Sequence, residues 1–338
     1  MLKVAAFTGG KNASPARFRV RQYIELLRSH SIDMKEFAAP LSSWPPGKRW
    51  MRPAWAVATL ASRLPAIGAS HFYDVTLLQQ SMVSTYVTLE GVTGGPRILD
   101  VDDAIWAHTE RSEFAKRLAG LCDSIVCGNP FLADQFSKWN SNVVVIPTGV
   151  DTDYFRPSSK SSSDTYVIGW SGGSGGFRYL YEIESALKIV LDNNPQAILS
   201  IVADRKPDFK ILLPEQVKFA FWSPVNEVRT IQAMDIGIMP IDDSLSARGK
   251  CSFKMLLYMA CGKPVVVSPF GMNRDVLRCG AVGFAAKTTQ DWVDSVTCLL
   301  SNRTLGEQMG AAGRQVVTEN YSMTDTGRKL AGHLAHYG

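Results

Sequence analysis

Tyr166-Val-Ile-Gly-Trp-Ser-Gly-Gly-Ser-Gly-Gly176 begins as an apolar, strand-like run, Tyr166–Gly169, and breaks into a glycine-rich turn. A segment with helical spacing, Arg178–Asp192, follows at once. Strand, glycine turn and helix in that order open a βαβ unit. The backbone N–H groups of such a turn, with the helix N-terminus behind it, can hold a phosphate; a plain tight turn is the other reading. Two nucleotide fingerprints do not fit. GxGxxG is out of register, with no acidic residue closing a second strand about 20 residues on, and the Gly-Lys-Ser/Thr of a P-loop is missing.

The same alternation continues through the second half. Strand-like runs fall at Ala197–Ala203, Val217–Phe221, Ile236–Pro240, Pro264–Ser268 and Val282–Ala285. Helical segments fall near Pro224–Met234, Phe253–Cys261, Thr289–Ser301, Thr304–Glu319 and Ser322–His336. A Ser- and Lys-rich linker, Pro157–Asp164, precedes this half. Before it lie strand-like Leu2–Thr8, Val75–Leu78, Pro96–Val101, Ser124–Cys127 and Val143–Ile146, with helix-like Phe18–Ser29, Ser81–Gly91, Glu110–Leu121 and Pro130–Trp139 between them. Strands separated by helices predict an α/β protein with two parallel sheets. The 338 residues suit two domains better than one core. Ligands of such sheets bind beyond the carboxyl ends of the strands, so two domains facing across a cleft would hold them there.

Composition narrows the function. The start, MLKVAAFTGG, enters a strand directly, and no run approaches the ~18–20 apolar residues of a membrane span. The longest apolar stretch, Pro53–Gly68, is interrupted by Arg63 and Pro65. The six cysteines lack metal-ligand spacing, which predicts reduced thiols, no metal site and a cytoplasmic protein. Net charge is +5, yet residues 1–63 hold eleven Lys/Arg against three Asp/Glu. Such a basic face can attract phosphates or anionic lipid, or serve solubility alone; no RNA- or DNA-binding signature accompanies it.

Three stretches together resemble glycosyltransferase family 4, the glycosyl transferases of group 1. They are Val143-Val-Val-Ile-Pro-Thr-Gly-Val-Asp-Thr-Asp-Tyr-Phe-Arg-Pro157 preceded by Gly128-Asn-Pro, Met259-Ala-Cys-Gly-Lys-Pro-Val-Val-Val267 with Ser268-Pro-Phe-Gly271 and Asp275, and Gly310-Ala-Ala-Gly-Arg314 followed by Tyr321-Ser322. The resemblance covers most of residues 120–335. It implies the GT-B fold: residues 1–150 as a Rossmann-like acceptor-binding domain, 151–320 as a Rossmann-like donor-binding domain, and 321–338 as a helix crossing back to the first. It also implies retaining transfer, without a metal or tightly bound cofactor, from a nucleotide-diphosphate sugar to a saccharide or lipid-linked acceptor, as in surface polysaccharide synthesis.

Two departures from the family pattern stand out. Alignment on Met-Ala-Cys-Gly puts Gly249 and Leu257 where many members carry donor-site glutamates. This chain reads Arg248-Gly-Lys250-Cys-Ser-Phe-Lys254 instead, the Gly-Lys-x-x-x-Lys form of one branch of the family. Lys250 and Lys254 are four apart, a spacing that predicts one helix face; with Arg248 they could neutralise a diphosphate leaving group. In Leu99-Asp-Val-Asp-Asp-Ala-Ile-Trp106, Asp102 stands where members often place a donor-contacting histidine. Asp102 or Asp103 is expected to bind a sugar or acceptor hydroxyl, or Asp103 to cap a helix, with Asp100 structural and His108 a substitute contact. The catalytic set is thus Asp102, Asp103 and Lys254. Gly9, Gly10, Gly172, Gly173, Arg205, Arg248 and Lys250 are expected around the donor, Trp222 against its base, and Arg19 at a phosphate or the acceptor. Trp44, Trp50 and Trp55 beside Lys48, Arg49 and Arg52 suit peripheral contact with the inner face of a membrane. A glycosyltransferase-like scaffold without turnover, and a nucleotide-sugar epimerase, are the alternatives.

Overall fold

The computed structural model describes residues 1–11, 13–41, 45–84, 86–107, 112–158 and 165–338. The chain divides into two compact units. Unit 1 comprises Met1–Gly149, Arg248–Cys251 and Met323–Gly338; unit 2 comprises Val150–Ala247 and Ser252–Ser322.

Unit 1 is built on six parallel strands: β1 (Leu2–Thr8), β2 (Ile32–Ala38), β3 (Val75–Gln79), β4 (Arg97–Val101), β5 (Ser124–Cys127) and β6 (Val143–Val145), in the order β2-β1-β3-β4-β5-β6. The inner strands β3, β4 and β5 are almost wholly buried, as expected of a sheet covered on both faces. Two elements are not evident from periodicity. β2 is an edge strand, and Asp33, Lys35 and Glu36 break its apolar run. Arg52–Ser70 is a 19-residue helix with Pro65 inside it. Ser81–Gly91, expected to be helical, shows as helix, among its described residues, only the start of a short 3-10 turn, Glu90–Val92. The buried carboxylate of Glu90 organises this loop by accepting from the amides of Met82 and Thr88. The C-terminal helix Met323–Ala335 completes the core of unit 1 with Leu330 and Leu334. It is tied on by Tyr23 Oη to Thr326 Oγ1 at 2.9 Å and by Ser124 Oγ to His333 Nε2 at 2.9 Å.

Unit 2 has β7 (Tyr166–Ser171), β8 (Ala197–Ala203), β9 (Val217–Phe221), β10 (Ile236–Met239), β11 (Val265–Val267) and β12 (Gly283–Ala285), all parallel, in the order β12-β11-β10-β7-β8-β9. Read from β9, this is the doubly wound 3-2-1-4-5-6 order. Its core joins Ile168, Trp170, Leu199, Ile201 and Ile238 from the sheet to Leu180, Leu187, Trp292 and Leu299 from the helices. Both units are therefore α/β with parallel sheets, as the alternation predicts.

Candidate functional site

In unit 2 the strand order reverses between β7 and β10, the position where the carboxyl ends of a doubly wound sheet leave a binding crevice. The first turn of the helix Phe253–Ala260 is arranged there. Lys254 folds back over β7 and places its ammonium 4.2 Å from the centroid of the buried Trp170 ring. A Cβ added to Gly172 would lie 2.4 Å from Lys254 Cε and 2.5 Å from Nζ, so a glycine here leaves the room that the ammonium occupies. Gly173, by contrast, faces open space. Tyr258, one turn further along the helix, accepts the amide of Ser171 at 2.9 Å. Gly237 on β10 admits its ring, since a Cβ there would sit 2.4 Å from it.

The helix start is unusual. Ser252 holds a left-handed backbone (φ 50°), a costly conformation for a residue with a side chain, and it does not cap the helix. Its hydroxyl donates instead to Asn273 Oδ1 at 2.7 Å, and Asn273 Nδ2 donates to the carbonyl of Ser268 at 3.1 Å. Ser252 thus gives the first turn no side-chain cap, and the helix start forms, with Lys254, a positive edge suited to an anion. On the neighbouring strand, Asp204 fixes the glycine turn by accepting from Ser174 N at 2.6 Å and Ser174 Oγ at 2.8 Å. Arg205 beside it is exposed. Trp222, just past β9, keeps 40% of its surface exposed and donates to Glu227 Oε1 at 3.1 Å.

One expectation fails here. Lys250 and Lys254 do not share a helix face. The short helix Leu245–Arg248 ends before Gly249, and the left-handed Ser252 breaks the chain before the next helix begins at Phe253. Arg248, Gly249 and Lys250 are counted with unit 1, where Asn129 Nδ2 donates to the carbonyls of Gly249 at 2.9 Å and Lys250 at 3.1 Å. Gly249 packs on Ala104, to which a Cβ would come within 2.5 Å. Arg248 is exposed, and Lys250 pairs with Asp103 at 3.7 Å.

In unit 1 the order reverses between β1 and β3. Beyond β1 come Gly9 and Gly10, the latter at φ +129°, which favours glycine. Beyond β3, Gln80 holds a left-handed backbone (φ 58°) and its amide donates to Asp102 Oδ1 at 2.7 Å; Gln79 reaches the same oxygen at 3.4 Å. Asp102 keeps some accessible surface but is packed deep among protein atoms. Burial pushes its carboxyl up to about 6; the Arg19 charge pulls it down, Asp100 and Asp103 push it further up, and the Gln80 amide pulls down. Asp103 accepts from the amide of Ala104 at 2.9 Å and caps no described helix. The Cys251 thiol donates to the carbonyl of Asp102 at 3.2 Å.

Arg19, expected to reach a phosphate or the acceptor, is instead buried. Nε and Nη2 hold Asp100 at 3.0 and 2.7 Å, and Nη1 holds the Ile146 carbonyl at 2.8 Å. Burial opposes its charge, but the Asp100 carboxylate outweighs this and raises the guanidinium pKa. The pair is therefore structural. His108 lies outside the described residues. Among the described residues, no group of three or more His, Cys, Asp or Glu could hold a metal ion. Trp170, Tyr258, Ser252, Asn273, Asp204 and Gln80 were not singled out in the sequence. Only Trp170, an aromatic residue two positions before the glycine pair, left a signal there.

Residues 175–302 match the family model described as Glycosyl transferases group 1. No curated protein sequence matches the chain. Among solved structures, sucrose-phosphate synthase from Thermosynechococcus elongatus superposes with a TM-score of 0.73 at 16% identity, over 99% of this chain and 98% of its own. HepE of Anabaena, in complex with UDP and glucose, gives 0.72 at 16% identity over 99% and 100%. WaaG, a glycosyltransferase involved in lipopolysaccharide biosynthesis, gives 0.67 at 12% over 98% and 99%. The fold of the whole chain is that of the GT-B glycosyltransferases. Residues 175–302 thus carry the match to the glycosyl transferases group 1 family, within a chain whose fold as a whole is shared with these glycosyltransferases.

Proposed function

We propose that this chain moves a sugar from a nucleotide-diphosphate sugar to a saccharide or lipid-linked acceptor, with retention of configuration, in the synthesis of a surface polysaccharide. Residues 151–320 take the donor and residues 1–150 the acceptor. The observation that carries this reading is Lys254 seated against Gly172, beside an uncapped helix start at the β7/β10 reversal. The amide of Gly173, the helix N-terminus and the Lys254 ammonium hold the diphosphate and neutralise the charge that grows on it as the glycosidic bond breaks, while Gly172, whose own amide donates to the Val202 carbonyl at 2.9 Å, leaves the room that Lys254 needs. Arg205 adds a further cation and Trp222 a stacking face for the base. Arg248 and Lys250 are the further cations that this reading assigns to the donor. Asp102, with Asp103, accepts hydrogen bonds from hydroxyls of the sugar or acceptor. That HepE was solved with UDP and glucose, and that WaaG serves lipopolysaccharide biosynthesis, supports the same donor and acceptor classes here.

Titration calorimetry with UDP-glucose and UDP tests the donor half. Saturable binding is expected, weakened about 10–100-fold in Lys254→Ala, the scale of one or two charge-assisted hydrogen bonds. If neither ligand nor any other nucleotide-diphosphate sugar binds, the reading fails. Retention is tested by NMR assignment of the product's anomeric configuration.

A membrane-surface seat in the cytoplasm belongs to the same proposal. No helix among the described residues is long and apolar enough to cross a membrane. The helix Arg52–Ser70, however, turns an uncharged face outward: Val57 is 69% and Leu64 55% exposed, and Trp50 just before it is 78% exposed. Lys48, Arg49 and Arg52 stand at its start, the arrangement of an interfacial helix on anionic lipid. Trp55 is half-buried, and Trp44 lies outside the described residues. Failure to co-sediment with phosphatidylglycerol-containing vesicles at low salt would remove this part.

A further inference from the structure

The opposite face of that helix carries a buried cation which nothing described so far uses. Arg63 is 1% exposed. Its Nη1 donates to the carbonyl of Phe37 at 3.0 Å and Nη2 to that of Thr8 at 2.7 Å, at the carboxyl ends of β2 and β1. Among the described residues no carboxylate forms an ion pair with it, whereas Arg19 in the same unit has Asp100 at 2.7 Å. Its Nε has no hydrogen-bond partner among these residues. Neither does Thr59 Oγ1, which is buried one turn earlier on the same helical face. Burial lowers its pKa to about 10, with Glu90 acting in the opposite sense, so the group is charged at neutral pH. Arg63 also lines a cavity of about 310 Å³, walled by Phe37, Ala38, Pro40, Ser62 and Ala66.

A buried charge satisfied only by carbonyl oxygens, with two donors left over, is an expensive arrangement unless a counter-ion arrives. Carbonyls solvate a cation but do not neutralise it. A ligand entering the cavity with an oxyanion supplies the missing charge beside the guanidinium. Apart from Ser62, whose hydroxyl donates to the Thr59 carbonyl, the remaining walls are apolar, so they favour a ligand whose anionic group is joined to a less polar body.

We propose that Arg63 and this cavity form an anion subsite of unit 1, which takes a phosphate or carboxylate group of the ligand bound there. The assignment of that ligand as the acceptor rests on the proposed function; the subsite does not. The carboxyl ends of β1 and β2 supply its floor, and Arg63 its charge.

Inorganic phosphate is the probe, applied to the full chain carrying Lys254→Ala so that the donor edge of unit 2 does not contribute. At constant ionic strength, phosphate is expected to raise the melting temperature saturably. Arg63→Met and Ala66→Leu, the second filling the cavity while leaving the guanidinium in place, are each expected to weaken that binding at least about tenfold, the scale of one charge-assisted hydrogen bond. Ala66→Leu keeps the test decisive should Arg63→Met not fold. Absence of a phosphate effect, or phosphate binding in both variants as tight as in their Lys254→Ala parent, overturns the subsite while leaving UDP binding, and with it the donor reading, intact. The converse result, phosphate binding that depends on Arg63 in a protein that ignores every nucleotide, keeps the subsite and removes the donor reading. If phosphate binds and a phosphorylated acceptor analogue competes with it, the anion belongs to the acceptor. If the analogue does not compete, the site serves free phosphate.

Discussion

At the β7/β10 reversal of unit 2 the groups presented are an ammonium, bare glycine backbone and an uncapped helix start. At the β1/β3 reversal of unit 1 they are a carboxylate held by two glutamine amides, flanked by a second carboxylate. Both sheets are parallel and six-stranded, and both place their reversal at the same kind of crevice. The difference lies in what the strand ends carry. Positive charge and small residues suit a diphosphate; buried acceptors with a raised pKa suit hydroxyls. Each reversal also holds one left-handed residue, Ser252 in unit 2 and Gln80 in unit 1, and each of these directs its side chain to a polar group of the site. One architecture therefore supports two chemistries through a handful of side chains.

The largest expected effect tests the footing of the acidic edge. Asp102 follows Asp100 by two residues, and Asp100 is locked to Arg19. Asp100→Ala leaves a buried guanidinium unpaired and is expected to cost about 3–5 kcal/mol, read as a shift in the urea midpoint. A loss below about 1 kcal/mol would mean that the Ile146 carbonyl and the Thr148 hydroxyl suffice for Arg19, and that the pair is not what holds this edge.

The basic edge is sharpened by a smaller change. Gly172→Ala puts a methyl group where Lys254 Cε and Nζ now lie. The flexible end of Lys254 must move, and the buried Trp170 ring, 3.1 Å from the new methyl, must give by a few tenths of an ångström, so stability should fall by only about 1 kcal/mol. The displaced ammonium should nevertheless weaken UDP binding about tenfold, nearly as far as Lys254→Ala does. Gly175→Ala, whose methyl would enter open space, should bind as wild type. Equal affinities in all three variants would detach Lys254 from the diphosphate.

How much of this can be read from residues alone differs between the units for the same physical reason. In unit 2, β8 and β9 run over Ala197–Ala203 and Val217–Phe221 as the apolar runs predict, and the glycine turn announces the crevice. In unit 1, β2 is masked by three charged residues on an edge, and Arg52–Ser70 by two prolines and an arginine that belongs to its buried face. Periodicity reports which side of an element faces the core, but it does not register a buried charge satisfied by distant carbonyls. Arg63 therefore reads as an interruption in an apolar run, and Arg19 as a surface ligand. Lys250 and Lys254 fail differently: their spacing is helical, but Ser252 between them is left-handed, a conformation that serine does not advertise.

The smallest effect concerns Asp102, and its sign is fixed by linkage. The carboxyl is raised from 3.8 to about 6 in the folded protein, mainly by burial. Between those pH values the folded state binds more protons than the unfolded state, so this group lowers stability as pH rises through the interval. Below about pH 4 both states are protonated and the effect is absent; above about pH 6 it is complete. Because Asp102 retains some exposure, solvent screening should keep it under ~2 kcal/mol. Asp102→Asn removes the charge while retaining an oxygen for Gln80. Melting temperatures of wild type and variant should therefore diverge from pH 4 to pH 6, the variant gaining on the wild type. If the carboxylate also accepts a substrate hydroxyl, wild-type transfer should climb as pH passes about 6, while the variant shows a lower and flat profile. Parallel melting curves would mean that Asp102 is solvated like an ordinary surface carboxylate. The acidic edge would then differ from the basic one in charge alone, not in burial.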